Sequence, residues 1–219
     1  MFNLLQVITL ARALGQNRRD AFVATVHEAI RALPDVGNVL FAPTLPGVYN
    51  GGDFLLRLTF RDPAACDAAL AGEAWAPAAA LLADRTVASH IEYVPYQGGT
   101  SGGNSNDAGL YRVALYCANV DPTPERLAAF RDEKVRRPHL VSAILRWQLS
   151  ETGEATGTRR WTHVWEQEYR DLEGLNGPYM MHPEHWAYGE RWFDPEYPEH
   201  LIDPILVHTF CAIDQPVIA

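Results

Sequence analysis

Apolar positions recur along this chain in two rhythms, and each rhythm occurs twice. "FNLLQVITL" at 2–10 and "LYRVALYCA" at 110–118 are apolar runs of strand length, and each leads through a short polar stretch into a helical pattern. In the first pattern Phe22, Val26, Ile30 and Leu33 return at helical spacing. In the second, Thr123 is placed to cap a helix, Pro124 suits its first position, and Leu127 and Phe130 begin its apolar face. "LPDVGNVLFAPTL" and "RPHLVSAILRWQL" read as a helix exit followed by a second strand. "GGDFLLRLTF" and "RRWTHVWEQEY" read as third strands. Alternation puts Phe54, Leu56, Leu58 and Phe60 on one side of the first, and His163, Trp165, Gln167 and Tyr169 on one face of the second. A second helix and a closing strand, "SHIEYVPY" or "ILVHTFCAI", end each series.

Both halves thus predict strand, helix, strand, strand, helix, strand, the ferredoxin-like β-α-β-β-α-β order. The fold class is α+β, with a first repeat at 1–96, a Gly/Ser-rich linker "QGGTSGGNSNDAG" at 97–109, and a second repeat at 110–219. Helices cover only one face of such a sheet, so the two apolar faces left over are expected to pack against each other.

Composition narrows the chemistry. Eighteen Lys and Arg against 27 Asp and Glu give a net charge of −9, which disfavours nucleic acid as a partner because phosphate binding needs a positive face. Lys134 is the sole lysine, and its run "RDEKVRR" reads as a solvated helix face, which argues against Schiff-base chemistry. The apolar runs are too short to cross a membrane, and the N-terminus lacks the pattern of a secretory signal, so a cytoplasmic location is expected. Cys66, Cys117 and Cys211 stand far apart in apolar surroundings and read as buried thiols.

"GTSGG" at 99–103 matches G-x-S-x-G, but "NSNDAG" follows it where a nucleophile elbow needs a helix. No glycine-rich nucleotide motif is present. "YMMHPEHW" at 179–186 is the densest chemical cluster. His182 and His185 can share one helical turn and hold zinc or iron if Glu184 or His163 joins them. Their other reading is helix entry, with rings capping backbone groups and packing on Trp186.

The pattern "THVWEQEY" followed by "GPYMMHPEHW" resembles the stress-responsive dimeric α/β-barrel (Dabb) family. A third strand opening Thr-His leads there to Tyr-x-x-His-Pro-x-His at the second helix. The resemblance is close from Thr162 to Trp186 and looser over the whole chain. It implies two repeats forming an intramolecular dimeric α/β barrel. It also implies cofactor-independent acid-base chemistry by Tyr179 and His185, as in a plant polyketide cyclase of the family, with His163 facing the same pocket. That cyclase orients its histidine with an aspartate on the last strand, where this chain offers His208 or Thr209. The first half has "LAGEAWAPAA" in place of the motif and is read as a scaffold, leaving one site in the second repeat.

A histidine and a phenol together supply a base and a proton donor near neutral pH. Trp147, Trp161, Trp165, Trp186, Tyr188 and Trp192 suggest an aromatic pocket, with His182, Trp165, Trp186 and His208 as substrate-binding residues. Arg146 and Arg191 are candidates to hold a carboxylate. The expected activity is that of a cofactor-independent lyase that decarboxylates a phenolic or aromatic acid through a quinone-methide-like intermediate, with no metal. Aromatic cyclisation, cofactor-free oxygenation and non-catalytic ligand binding are the alternatives. The expected partner is a small aromatic substrate, with room for a homodimer but not for a membrane. The segment "ERWFDPEYPEHLIDP" at 190–204, without counterpart in the first half, is expected to lie over the pocket mouth.

Overall fold

A computed structural model describes residues 1–218 of the chain. The first half runs β1 (Phe2–Leu10), α1 (Gln16–Ala32), β2 (Val39–Pro43), β3 (Phe54–Phe60), α2 (Pro63–Ala71), α3 (Ala76–Ala83) and β4 (Ala88–Gln97). After a short strand β5 (Thr100–Gly102), the second half runs β6 (Leu110–Tyr116), α4 (Pro124–Arg136), β7 (Arg146–Glu151), β8 (His163–Tyr169), the single turn α5 (Leu172–Gly174), α6 (Pro183–Glu190) and β9 (Val207–Ala212). The sheets are ordered β2-β3-β1-β4 and β5-β7-β8-β6-β9, antiparallel throughout. Both therefore repeat the ferredoxin-like arrangement, and the α+β two-repeat fold follows.

Period-two alternation sorts the core into three layers. On β1, Leu5 and Val7 face the other sheet while Leu4 and Ile8 lie under the helices of their own half; on β6, Tyr111, Val113 and Leu115 face across while Leu110, Ala114 and Tyr116 lie under α4. The layer between the sheets is largely apolar but holds a fully buried ion pair. Arg57 Nε donates to Glu166 Oε1 at 2.7 Å, and Glu166 also accepts from the Tyr111 hydroxyl at 2.7 Å and from Gln148 Nε2 at 2.9 Å. Every oxygen of the desolvated carboxylate is thereby engaged, which is what allows a buried charge pair to persist.

The linker is more ordered than its composition suggests. Thr100–Gly102 pairs with β7, so "GTSGG" lies on a sheet edge with Ser101 opposite Gln148, not on a strand-to-helix turn. Gly103 has φ +83°, and a Cβ there would collide with the Leu145 carbonyl. The three cysteines are free and buried, and burial pushes the Cys211 thiol up to about 12. No helix among the described residues is long and apolar enough to cross a membrane.

In the first half aromatic side chains pack the layer between helices and sheet. Phe22, Phe54 and Trp75 are buried there, and Phe41 stacks on Phe54 with ring centroids 5.3 Å apart. The second half differs, because its helical layer leaves a void.

Candidate active site

A cavity of about 350 Å³ opens between α4, α6 and the outer face of the second sheet, lined among others by Arg112, Tyr116, Lys134, Arg137, His185 and His208. Arg112 and Tyr116 reach it because they sit at even positions of β6, on the face turned away from the first sheet. His208 reaches it from β9, directly across from Ala114. Its far wall is apolar, made by Met180, Phe193 and Leu206.

Helix α4 contributes an unexpected charge. Thr123 caps it by accepting a hydrogen bond from the Arg126 amide, and Leu127 and Phe130 begin its inward stripe, as the spacing predicts. The same stripe continues to Lys134, four residues after Phe130, and to Arg137 in the next turn. Lys134 is 1% exposed, which overturns its reading as part of a solvated face. Its Nζ stands 5.2, 5.1 and 5.4 Å from the ring centroids of Tyr116, Phe130 and Phe193. Among the described residues no carboxylate lies within ion-pair distance of it, because Glu133 is taken by Arg137 and Arg191. Those rings favour an ammonium. Burial, then Arg137 and Arg112, outweigh them and the opposing pull of Glu133, so the amine titrates well below its ordinary value.

The chain enters α6 through a π-helical turn, Leu175–Tyr179, in which the Met180 amide bonds back to the Leu175 carbonyl at 3.0 Å. Pro178 has no N–H to give, and the widened turn carries Tyr179 inward until it is fully buried. Its ring meets that of His185 at 4.6 Å between centroids and that of Tyr169 at 5.6 Å. His182 is the N-cap of α6, its Nδ1 accepting from the Glu184 amide at 3.2 Å, so of its two readings the helix-entry one describes its place. Trp186 stands half-exposed at the rim.

Electrostatics set the protonation states. Burial, reinforced by Arg137, Arg112 and Lys134, holds His185 down to about 3. Burial and then Arg112 and His185 hold His208 to about 2. Both imidazoles are neutral at pH 7. For Tyr179, burial opposes ionisation, but Arg112 and then Arg137 outweigh it, and the phenol lies below its usual value. Tyr116 moves the other way, raised by burial against the pull of Arg112, and stays protonated. Arg112 Nη1 donates to the neutral Gln167 Oε1 at 2.6 Å, and among the described residues no carboxylate pairs with this guanidinium. His185 Nδ1, His208 Nε2, Arg112 Nε and Arg137 Nε are buried without a hydrogen-bond partner. Such clustering is uncommon away from sites that receive polar groups.

Several residues singled out from the sequence lie elsewhere. His163 sits beneath Phe130, centroids 5.4 Å apart, with Nδ1 2.9 Å from Thr162 Oγ1, and does not line the cavity. Trp165 is buried behind it, tilted against Trp147. Arg146 is committed outside, donating to the carbonyls of Ser105, Asn104 and Ile218. Arg191 is held by Glu133 and Glu199. Trp161 belongs to the layer between the sheets, where its Nε1 donates to Glu92. Thr209 points into that layer and donates to the Gly51 carbonyl at 3.0 Å, so of the two candidates to orient His185 only His208 shares its cavity. The segment after α6 is a wall and not a loose cover: Trp192, Leu201 and Ile202 are buried, and the amides of Leu201 and Ile202 both bond to the Trp192 carbonyl. Arg112, Tyr116, Lys134 and Arg137 are among the cavity residues the sequence reading missed.

Comparison with known proteins places this arrangement. The fold resembles that of an anthrone oxidase-like protein at 8% identity, covering 98% of this chain and 92% of that one with a TM-score of 0.69. A monooxygenase-like protein from Lactobacillus acidophilus NCFM superposes over 100% of this chain and 98% of its own at 12% identity and TM-score 0.55. Chlorite dismutase from Candidatus Nitrospira defluvii in complex with imidazole does so over 97% and 91% at 12% identity and TM-score 0.56. At these identities the likeness is one of fold. No curated protein sequence matches the chain. Residues 111–202 match the Stress responsive A/B Barrel Domain, Dabb. The matched residues lie in the second repeat, the half that holds the cavity, and it is this repeat that carries the likeness to the Dabb family.

Proposed function

We propose that this chain is a cofactor-independent enzyme that moves protons on an anionic phenolic compound, most specifically a lyase that decarboxylates a phenolic acid. The observation that carries the reading is the meeting of a neutral His185 and a protonated Tyr116 at one cavity with two buried guanidiniums, Arg112 and Arg137. The guanidiniums favour the phenolate of a bound phenol. The bound carboxylate and the developing phenolate offset the cations that hold His185 low, so the phenol proton passes to its imidazole and the ring's electrons flow toward the side chain. Tyr116 then gives its proton to the side-chain carbon bearing the carboxylate, which yields a quinone methide. The electrons of the C–CO₂ bond return to the ring as CO₂ leaves against the apolar wall of Phe193 and Leu206. The proton on His185 restores Tyr116, and one solvent proton neutralises the product phenolate. Tyr179, packed on His185 and under the same guanidiniums, acts as the positioning residue.

The test is to incubate the purified chain with hydroxycinnamic and hydroxybenzoic acids while following CO₂ by mass spectrometry and oxygen with an electrode. Release of CO₂ without oxygen uptake, reduced about a hundredfold or more in His185→Gln, is the expected result. Oxygen uptake without CO₂ would replace the lyase by a cofactor-free oxygenase working on the same deprotonated ring. If neither gas changes, the catalytic reading fails.

A further inference from the structure

The proton-transfer reading leaves one feature of the cavity without a task. An amine sits in its wall, removed from water, with aromatic rings on three sides and no acid to pair with. A lysine used only for packing is costly at such a place, because its charged form loses its hydration and its neutral form wastes a donor. A lysine that must hold an anion is better served by the charge that burial discourages here.

We propose that Lys134 is a nucleophilic amine that condenses with the carbonyl carbon of an aromatic aldehyde or ketone admitted to this cavity. The lone pair of Nζ forms a C–N bond while the carbonyl oxygen takes up a proton, giving a carbinolamine. The oxygen then leaves as water, carrying in all the two protons of the amine, and a C=N bond remains; nothing is oxidised or reduced. The arrangement suits each step. Tyr116, at 5.2 Å from Nζ to ring centroid, carries the proton an alkoxide needs. The rings of Phe130 and Phe193 flank the amine and limit the water that would reverse the condensation.

The groups that face Lys134 come from every element around it. Arg112 and Tyr116 approach from β6, Glu133 and Arg137 from α4 and the turn after it, His163 from β8 and His185 from α6. Glu133 is the one acid among them, and two arginines already claim it. The two guanidiniums therefore act on the amine as neighbouring cations do in amine catalysts, favouring the unprotonated nucleophile at neutral pH. This inference does not rest on decarboxylation, since an imine would form whether or not a phenolic acid reacts.

The sequence makes the test unusually clean, because Lys134 is the only lysine and the chain N-terminus the only other primary amine. The folded chain is mixed with 4-hydroxybenzaldehyde and cyanoborohydride, which reduces an imine to a stable secondary amine, and the adduct is located by intact mass and peptide mapping. The expected result is an adduct on Lys134, beside any at the N-terminus, that saturates with aldehyde; the imine itself, followed by its absorbance before reductant is added, forms about equally fast at pH 7 and pH 9, whereas an ordinary lysine would accelerate about tenfold per unit over that range. Lys134→Met, checked for folding by circular dichroism, should lose that adduct and keep the N-terminal one. Labelling confined to the N-terminus, labelling of Lys134 only in denaturant, or a rate that climbs tenfold per pH unit through pH 9 would each overturn the proposal. Failure of the phenolic acid assay alone would leave this result unaffected.

Discussion

The rings of Tyr179 and His185 meet at 4.6 Å with their planes tilted by 57°, although five residues and a helix cap separate them in the chain. The contact exists because the π turn rotates Tyr179 inward and His182 starts α6 early enough to bring His185 back over it. Arg112 also meets this ring, its Cζ 5.6 Å from the Tyr179 ring centroid. Removing that guanidinium should raise the phenol's pKa by about one unit or more, since the opposite charge favours the phenolate. Carbon-13 labelling of tyrosine Cζ reads this directly: the resonance assigned with Tyr179→Phe should titrate at lower pH in the parent chain than in Arg112→Met.

Acid should destabilise the chain through its buried imidazoles. His163, His185 and His208 are held to about 4, 3 and 2, below the ordinary 6.5 of an unfolded histidine. Below pH 6.5 the unfolded chain takes up protons that the folded one refuses, so stability is full above that value and falls as pH drops toward 4. Each histidine contributes about 2 kcal/mol of the loss between pH 6.5 and 5. Urea midpoints measured across that range should fall steeply, and replacing His208 by Gln should flatten the slope by about a third.

The buried pair between the sheets is expected to matter more when broken than when removed whole. Glu166→Gln leaves Arg57 charged and 2% exposed beside a neutral amide, and should cost about 3–5 kcal/mol. Replacing both, Arg57→Met with Glu166→Leu, should recover most of that. Denaturant unfolding of the two variants decides the matter; equal losses would mean that the pair itself supplies the stability.

Much of this was legible in the sequence because the two periodicities are clean. The alternation that set Phe54, Leu56, Leu58 and Phe60 apart from Leu55 and Arg57 also gives the true facing of β3 in the fold. Of the Tyr-x-x-His-Pro-x-His segment, His185 stands in the cavity wall, while Tyr179 packs behind it and His182 caps α6. What stayed hidden needed distance. Arg146 reads as a free cation until residues 104–106 and Ile218, brought from some 40 and 72 positions away, are seen to take its donors. Lys134 was within reach of local reasoning. The spacing that starts with Leu127 and Phe130 lands on it, but charge in a run of charges hid the stripe. Arg112, too, sits on the helix-covered face of β6, where period two places it opposite Gln167.

The segment after α6 yields the last prediction, because a wall and a lid respond oppositely to truncation. Trp192 is 2% exposed, packs edge-on against Phe130 with centroids 5.5 Å apart, and through its carbonyl anchors both Leu201 and Ile202. Asp203 continues the attachment, its amide bonding to the Cys117 carbonyl at the end of β6. Trp192→Ala should therefore cost about 3–5 kcal/mol of stability, the loss typical of a large aromatic removed from a packed core. A mobile cover would lose little stability and would instead release bound ligand faster. Thermal unfolding and the dissociation rate of a bound phenolic acid, measured on the same variant, separate the two, and an unchanged melting temperature with accelerated release would restore the lid.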